Sequence, residues 1–268
     1  MPERRGSFSG KHLSIQGVPF RSLSIQPDAT LADQVEIHAR FERAEEFEAV
    51  EVREGESVQM VGKPQQGSSF LRSGGNVIQA GGRIVVGDLV GGAIVGKTPT
   101  LDVEMRVPPG FTVRLGLSIG EARLGDIAGL LHLDVNGAGK VRAGATKRLD
   151  VDLSGAGSVV VSGVAEGADL EMSGSGAVEI GDIGSGALKV DLSGAGSIKV
   201  GGGVLDRLSI DVAGTGKVTV GAHVEGDARI EASGIARVEI ASVAGQVEQE
   251  TSGLAKISIA SRSRSFSK

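Results

Sequence analysis

From residue 131 onward the chain alternates apolar and polar positions in short bursts. One set reads Leu131, Leu133, Val135, then Leu149, Val151, Leu153, then Leu188, Val190, Leu192, then Leu208, Ile210, Val212. A second set follows each glycine-rich break: Val159 and Val161, Val178 and Ile180, Ile198 and Val200, Val218 and Val220, Val238 and Ile240, Ile257 and Ile259. A third apolar position comes shortly after, at Val164, Ile183, Val204, Val224 and Val243. Period-two alternation over so few residues, bounded by Gly and Ser, predicts half-buried strands. No stretch carries the i, i+3, i+4 stripe that a helix needs.

The bursts are spaced by a repeat. Gly137, Gly155, Gly174, Gly194, Gly214, Gly234 and Gly253 each follow a small or polar residue after the first burst, at spacings of 18, 19, 20, 20, 20 and 19. Two places on stands Gly139, Gly157, Gly176, Gly196 or Gly216, then Ala236 and Ala255, and a degenerate eighth copy is centred on Gly120. Strands this short and this regular are satisfied by stacking each turn on the last, so that equivalent residues pair in parallel and the inward Leu, Val and Ile form continuous columns. The expected fold is all-β: a right-handed, three-faced parallel β-helix of about 19–20 residues per coil, with glycine at the corners supplying backbone conformations that other residues avoid.

The first hundred residues follow different rules. All 7 Pro lie at or before Pro109, and six of the 7 Phe at or before Phe111. Alternation over His12 to Gln16, Ser22 to Gln26, Val35 to Phe41 and Val50 to Val61 predicts strands, with a hairpin around Glu54-Gly55-Glu56. Pro64 to Gly75 reads as a long loop. The expected organisation is residues 1–100 as a β-strand region capping or extending the solenoid, 101–260 as the β-helix, and 261–268 as a basic mobile tail. Gln249 and Thr251 replace apolar residues in the inward columns, as a last coil requires.

Composition narrows the function. The 268 residues include 43 Gly but no Cys, Trp or Tyr, and the net charge is −5. Thiolate chemistry and Cys-based zinc sites are excluded, and the stacking platforms used for sugars or single-stranded nucleic acid are missing. The negative charge opposes nucleic-acid binding. No run reaches the length of a membrane span, and the start lacks the apolar core of a signal peptide. The expected location is the cytoplasm if Met1 is the native start, and the cell surface or periplasm if a leader was removed.

The run Leu101-Asp102-Val103-Glu104-Met105-Arg106-Val107-Pro108-Pro109-Gly110, followed by Ser-Gly-x-Gly coils, resembles the bacterial auto-transporter adhesin family with the "head GIN" domain and related adhesin-like β-solenoids. That resemblance implies a right-handed parallel β-helix, export, and a surface or adhesion role. It carries no catalytic residue.

Familiar catalytic strings are present but in the wrong context. Gly91-Gly92-Ala93-Ile94-Val95-Gly96-Lys97-Thr98 fits the phosphate-loop pattern, yet Pro99 and an alternating strand follow where a helix must begin. Gly116-Leu117-Ser118-Ile119-Gly120 fits the nucleophile-elbow string, which also needs a strand-turn-helix. His12, His38, His132 and His223 lack metal-ligand spacing. No metal or other cofactor is expected.

One column stands out. Three residues before each anchor glycine come Asp134, Asp152, Glu171, Asp191, Asp211, Glu231 and Glu250, all acidic. Three residues after it the column leans basic, with Lys140, Lys217, Arg237 and Lys256. The acidic ladder is the candidate binding surface, for a cation, a basic partner or a second copy. The leading expectation is a non-enzymatic structural or adhesin-like β-solenoid acting through its repetitive surface on a protein or surface partner. The alternative is a cytoplasmic scaffold or filament former that polymerises through coil ends or charged faces.

Overall fold

The computed structural model of the chain describes residues 3–16, 18, 20–40, 50–55, 57–62, 79–80, 83–84 and 101–262. The expected loop at Pro64 to Gly75, the glycine-rich string ending at Thr98 and residues 263–268 of the tail lie outside them. The chain divides into two units, Met1–Lys63 with Pro99–Lys268, and Pro64–Thr98. In the second, Gln79–Ala80 pairs antiparallel with Arg83–Ile84. All regular structure among the described residues is β, and the first unit is a parallel β-solenoid.

Short alternating segments become long ladders because each lies on its equivalent in the next coil. One face stacks, in order, β6 (Ser57–Gly62), β2 (His12–Gln16), β10 (Thr112–Leu117), β12 (Ile127–Val135) and the second half of β13 (Lys140–Leu153). It continues through β15 (Ala168–Met172), β17 (Ala187–Leu192), β19 (Arg207–Gly214), β21 (Ala228–Gly234) and β23 (Val247–Thr251). The next face stacks β9 (Leu101–Val107), β3 (Phe20–Pro27), β11 (Glu121–Leu124), the first half of β13 and β14 (Ser158–Val164). It runs on through β16 (Ala177–Ile183), β18 (Ser197–Leu205), β20 (Lys217–Val224), β22 (Arg237–Val243) and β24 (Lys256–Arg262). The third face is only one or two residues deep, with Ile127, Thr146, Val164 and Ile183 in register, then Leu205, Val224 and Val243.

The inward columns are continuous. Leu133, Val151, Leu170, Val190, Ile210 and Ile230 stack directly and are buried. Burying one such side chain contributes about 1.5–3 kcal/mol, so the interior, not the charged exterior, holds the coils together.

The early strands do not form a separate layer. β2 and β3 build a complete coil that lies between β6 and β9 on one side and β10 and β11 on the other. The chain therefore passes from β9 to β10 across a coil made from its own beginning. Antiparallel strands flank that end. β4 (Gln34–Arg40) lies on β9 and β1 (Glu3–Ser9) on β4, while β5 (Val50–Arg53) forms the expected hairpin with β6.

Two local readings of the sequence change. Val204 is not the inward residue of its coil: it is 41 % exposed, and Leu205 is buried and pairs with Val224. The run Gly201-Gly202-Gly203 absorbs the extra residue as a shift in register, with Gly203 at φ 113°. The degenerate coil also has a shorter corner. Ala138 N donates to Ser118 O and Lys140 N to Gly120 O, so Gly120 occupies the second glycine's place and Ser118 the anchor's.

The anchor glycines are needed mainly for space. Of the seven only Gly234 and Gly253 have positive φ. A Cβ on Gly194 would meet the backbone of the coil below, 2.9 Å from Gly174 C and from Ser173 O and closer still to Gly174 O. The second glycine also meets a side chain of the coil below: a Cβ on Gly139 would lie 2.7 Å from Leu117, and one on Gly176 2.6 Å from Leu153, with the Gly157 carbonyl oxygen closer still. Ala replaces it at 236 and 255.

Candidate functional site

The ladder register brings all seven acidic candidates together. Asp134 pairs with Asp152, Asp152 with Glu171, Glu171 with Asp191, Asp191 with Asp211, Asp211 with Glu231 and Glu231 with Glu250. The first six are outward positions between two buried residues, because alternation sends every second side chain to solvent, whereas Glu250 in the last coil stands between exposed Gln249 and Thr251. Gly116 occupies the same column in the preceding coil, so the stripe ends at Asp134. Adjacent carboxylates about 5 Å apart repel by about 0.9 kcal/mol in bulk water before salt screening.

The adjacent outward column relieves part of that charge. Lys189 Nζ lies 3.2 Å from Asp169 and 3.5 Å from Glu171. Arg229 holds Glu231 at 2.7 Å and approaches Glu248 at 3.9 Å. His132 Nδ1 lies 2.7 Å from Asp150 Oδ2. Asp152, Asp191 and Asp211 have no ion-pair partner among the described residues. Two carboxyls of the stripe are shifted, by burial first and by their neighbours second. Partial burial, then the charge of Asp152, pushes the Asp134 carboxyl above its ordinary value. Partial burial, then Asp191 and Glu231, does the same to Asp211.

Across the Ser-Gly corner the basic column is also in register. Lys217, Arg237 and Lys256 stack in consecutive coils, while Ser158, Ala177 and Ser197 separate them from Lys140. Lys217 Nζ lies 2.8 Å from Glu239, and that hydrogen bond leads the causes holding the Glu239 carboxyl below its usual range. An acidic and a basic stripe thus border one corner.

A charged concavity on β1, β4 and β9 escaped the sequence. Arg5, Glu36, His38, Arg40, Glu104 and Arg106 line it. His38 lies 3.2 Å from Glu3 and 3.8 Å from Glu104, and Arg40 lies 3.5 Å from Glu104. Only the antiparallel pairing of distant strands creates it, so no spacing in the sequence announces it. The corner at Ser118 leads from β10 to β11, a strand, so the nucleophile-elbow geometry is missing. Among the described residues no group of His, Asp and Glu could hold a metal ion. No helix among the described residues is long and apolar enough to cross a membrane.

The architecture recurs in solved structures. A candidate adhesin from Parabacteroides distasonis aligns at 15 % identity with TM-score 0.57, covering 97 % of both chains. The chain shares its fold. A candidate adhesin from Parabacteroides merdae aligns at 12 % identity and TM-score 0.53, over 96 % of this chain and 95 % of that one. Another, from Bacteroides fragilis, aligns at 9 % identity and TM-score 0.50, over 96 % and 97 %. No protein-family model and no curated protein sequence matches the chain.

Proposed function

We propose that this chain is a non-enzymatic, adhesin-like β-solenoid of the head GIN type, exposed at a bacterial surface, that holds a basic protein or surface partner against its acidic ladder. One observation carries the reading: seven carboxylates in unbroken register on one outer column, with Asp152, Asp191 and Asp211 unmatched by a cation among the described residues. Self-repulsion is a cost that a cationic partner removes on binding. The names of the solenoids with the same fold support a role in adhesion. From Gly137 to Gly216 the corner beside the ladder carries only small or short polar side chains, and its regular spacing repeats the same approach in those coils, while Ile235 and Leu254 stand exposed at the last two corners.

The test is binding of the full chain to an immobilised Lys-rich peptide, measured at low and high salt. The triple variant Asp152→Asn, Asp191→Asn, Asp211→Asn is expected to bind at least tenfold more weakly and with a shallower salt slope. Equal binding by wild type and variant refutes the ladder as the contact. Protease treatment of intact cells tests exposure separately, and full protection of the chain refutes the surface location.

A further inference from the structure

The two ends of the solenoid unit are finished differently. At one end antiparallel strands flank the coils, with β5 on β6 and β4 with β1 on β9. At the other, β23 pairs with β21 and β24 with β22, and among the described residues neither carries a further strand. Each presents the outer row of N–H and C=O groups that makes a sheet edge a template for another strand. The corner and the interior are both less covered there. Leu254, on the outward corner position that Ile235 holds one coil earlier, is 77 % exposed. Ile257 and Ile259 are only partly covered, whereas Val238 and Ile240, their partners one coil earlier, are buried.

Charge selects which strand fits. Counted from the corner at Gly253, Glu250 stands three residues before it on β23 and Lys256 three residues after it on β24. Both side chains are exposed, and Glu248 adds a second carboxylate farther along β23. A two-fold axis through that corner, perpendicular to the stacking direction, exchanges the two faces and reverses the chain direction. It sets β23 of one copy antiparallel to β24 of the other. Glu250 then faces Lys256 on both sides of the axis, and Val247 faces Ile259 within. Such a contact is self-complementary and closes at two copies.

We propose that the C-terminal coil is a self-association surface on which a second copy of this chain docks end to end, about a two-fold axis at Gly253. Charge pairing, edge hydrogen bonding and the cover over Leu254, Ile257 and Ile259 all act in the same arrangement. The end of so narrow a coil is a small interface, so association depends on concentration.

Sedimentation velocity of the full chain at low salt, over a concentration series, tests the proposal. The expected result is a monomer–dimer equilibrium with no larger species. Lys256→Glu and Glu250→Lys each weaken it at least tenfold, because each places like charges opposite one another. An equimolar mixture of the two variants associates again, since every cross-pair then has opposite signs. Leu254→Glu weakens the dimer independently of the charge pair. Unchanged thermal melts by circular dichroism show that the variants remain folded. A wild type that stays monomeric throughout, open-ended polymers, indifference to both charge reversals, or a mixture that fails to associate would each overturn the proposal.

Discussion

Replacing Gly194 by Ala tests whether coil spacing is set by backbone contact at the corners. The added Cβ would sit 2.9 Å from Gly174 C and Ser173 O, with Gly174 O nearer still. These are backbone atoms, so no side chain can swing aside. Relief requires the coils to separate at that corner, where Ala195 N donates to Gly174 O at 3.0 Å and Ser193 N to Met172 O at 2.9 Å. Overpacking costs about 1–3 kcal/mol, and a backbone hydrogen bond lost at this solvent-reached corner adds about 0.5–1.5 kcal/mol. The expected loss is therefore roughly 3 kcal/mol. Gly163→Ala is the control, because its Cβ would find only Asp182 O, at 3.5 Å. It is expected to be neutral or slightly stabilising, since it lowers the entropy of the unfolded chain. Urea unfolding followed by far-ultraviolet circular dichroism compares the two, the chain having neither Trp nor Tyr. A loss at Gly194 within about 0.5 kcal/mol of that at Gly163 would refute the close-approach argument.

The remaining predictions concern the ladder and the register. Because the Asp211 carboxyl is raised above its ordinary value of 3.8, folding gains stability as pH falls through that raised value toward 3.8, and Asp211→Asn should remove this trend in acid-titrated thermal melts. Asp102 is the opposite case: hydrogen bonds from Arg21 and Ser22 lower its carboxyl, so its stabilisation holds above 3.8 and disappears as pH falls through the lowered value. Arg21→Ala should shift that loss to higher pH. Leu205→Ala should cost about 2–5 kcal/mol in urea unfolding, whereas Val204→Ala should cost little, because only the first empties a core position. Lys189→Met should cost under about 1 kcal/mol at low salt, less at high salt, as exposed pairs do.

The repeat was legible because two constraints act at fixed offsets from one glycine. Inward residues must be aliphatic, and the corner must approach the coil below, so Leu192, Gly194 and Ile198 recur as Val212, Gly214 and Val218. The acidic ladder followed from the same offset. What escaped the sequence arises where the offset fails. Gly201-Gly202-Gly203 leaves two candidates for one inward place, and only the structure selects Leu205 over Val204. The placement of His12–Gln16 beside Thr112–Leu117 joins segments a hundred residues apart, and alternation within either segment says nothing of its partner. The charged concavity of His38, Arg40 and Glu104 depends on another distant pairing, of Gln34–Arg40 with Leu101–Val107. The glycines were recognised correctly, but for the wrong physical reason at most anchors.

The interposed first coil also fixes an order of events during synthesis. The chain emerges N-terminus first, so β2 and β3 exist before any strand that will flank them. Their neighbours arrive with Ser57–Gly62, Leu101–Val107, and then Thr112–Leu117 and Glu121–Leu124. Until then the inward residues of that coil, Leu13, Ile15, Leu23 and Ile25, have no finished surface on either side. Every later coil meets its template among the residues made just before it. Translation thus divides at about β11 into a vulnerable wait, in which holding factors or speed of elongation matter most, and a rapid run in which each new turn settles on the last.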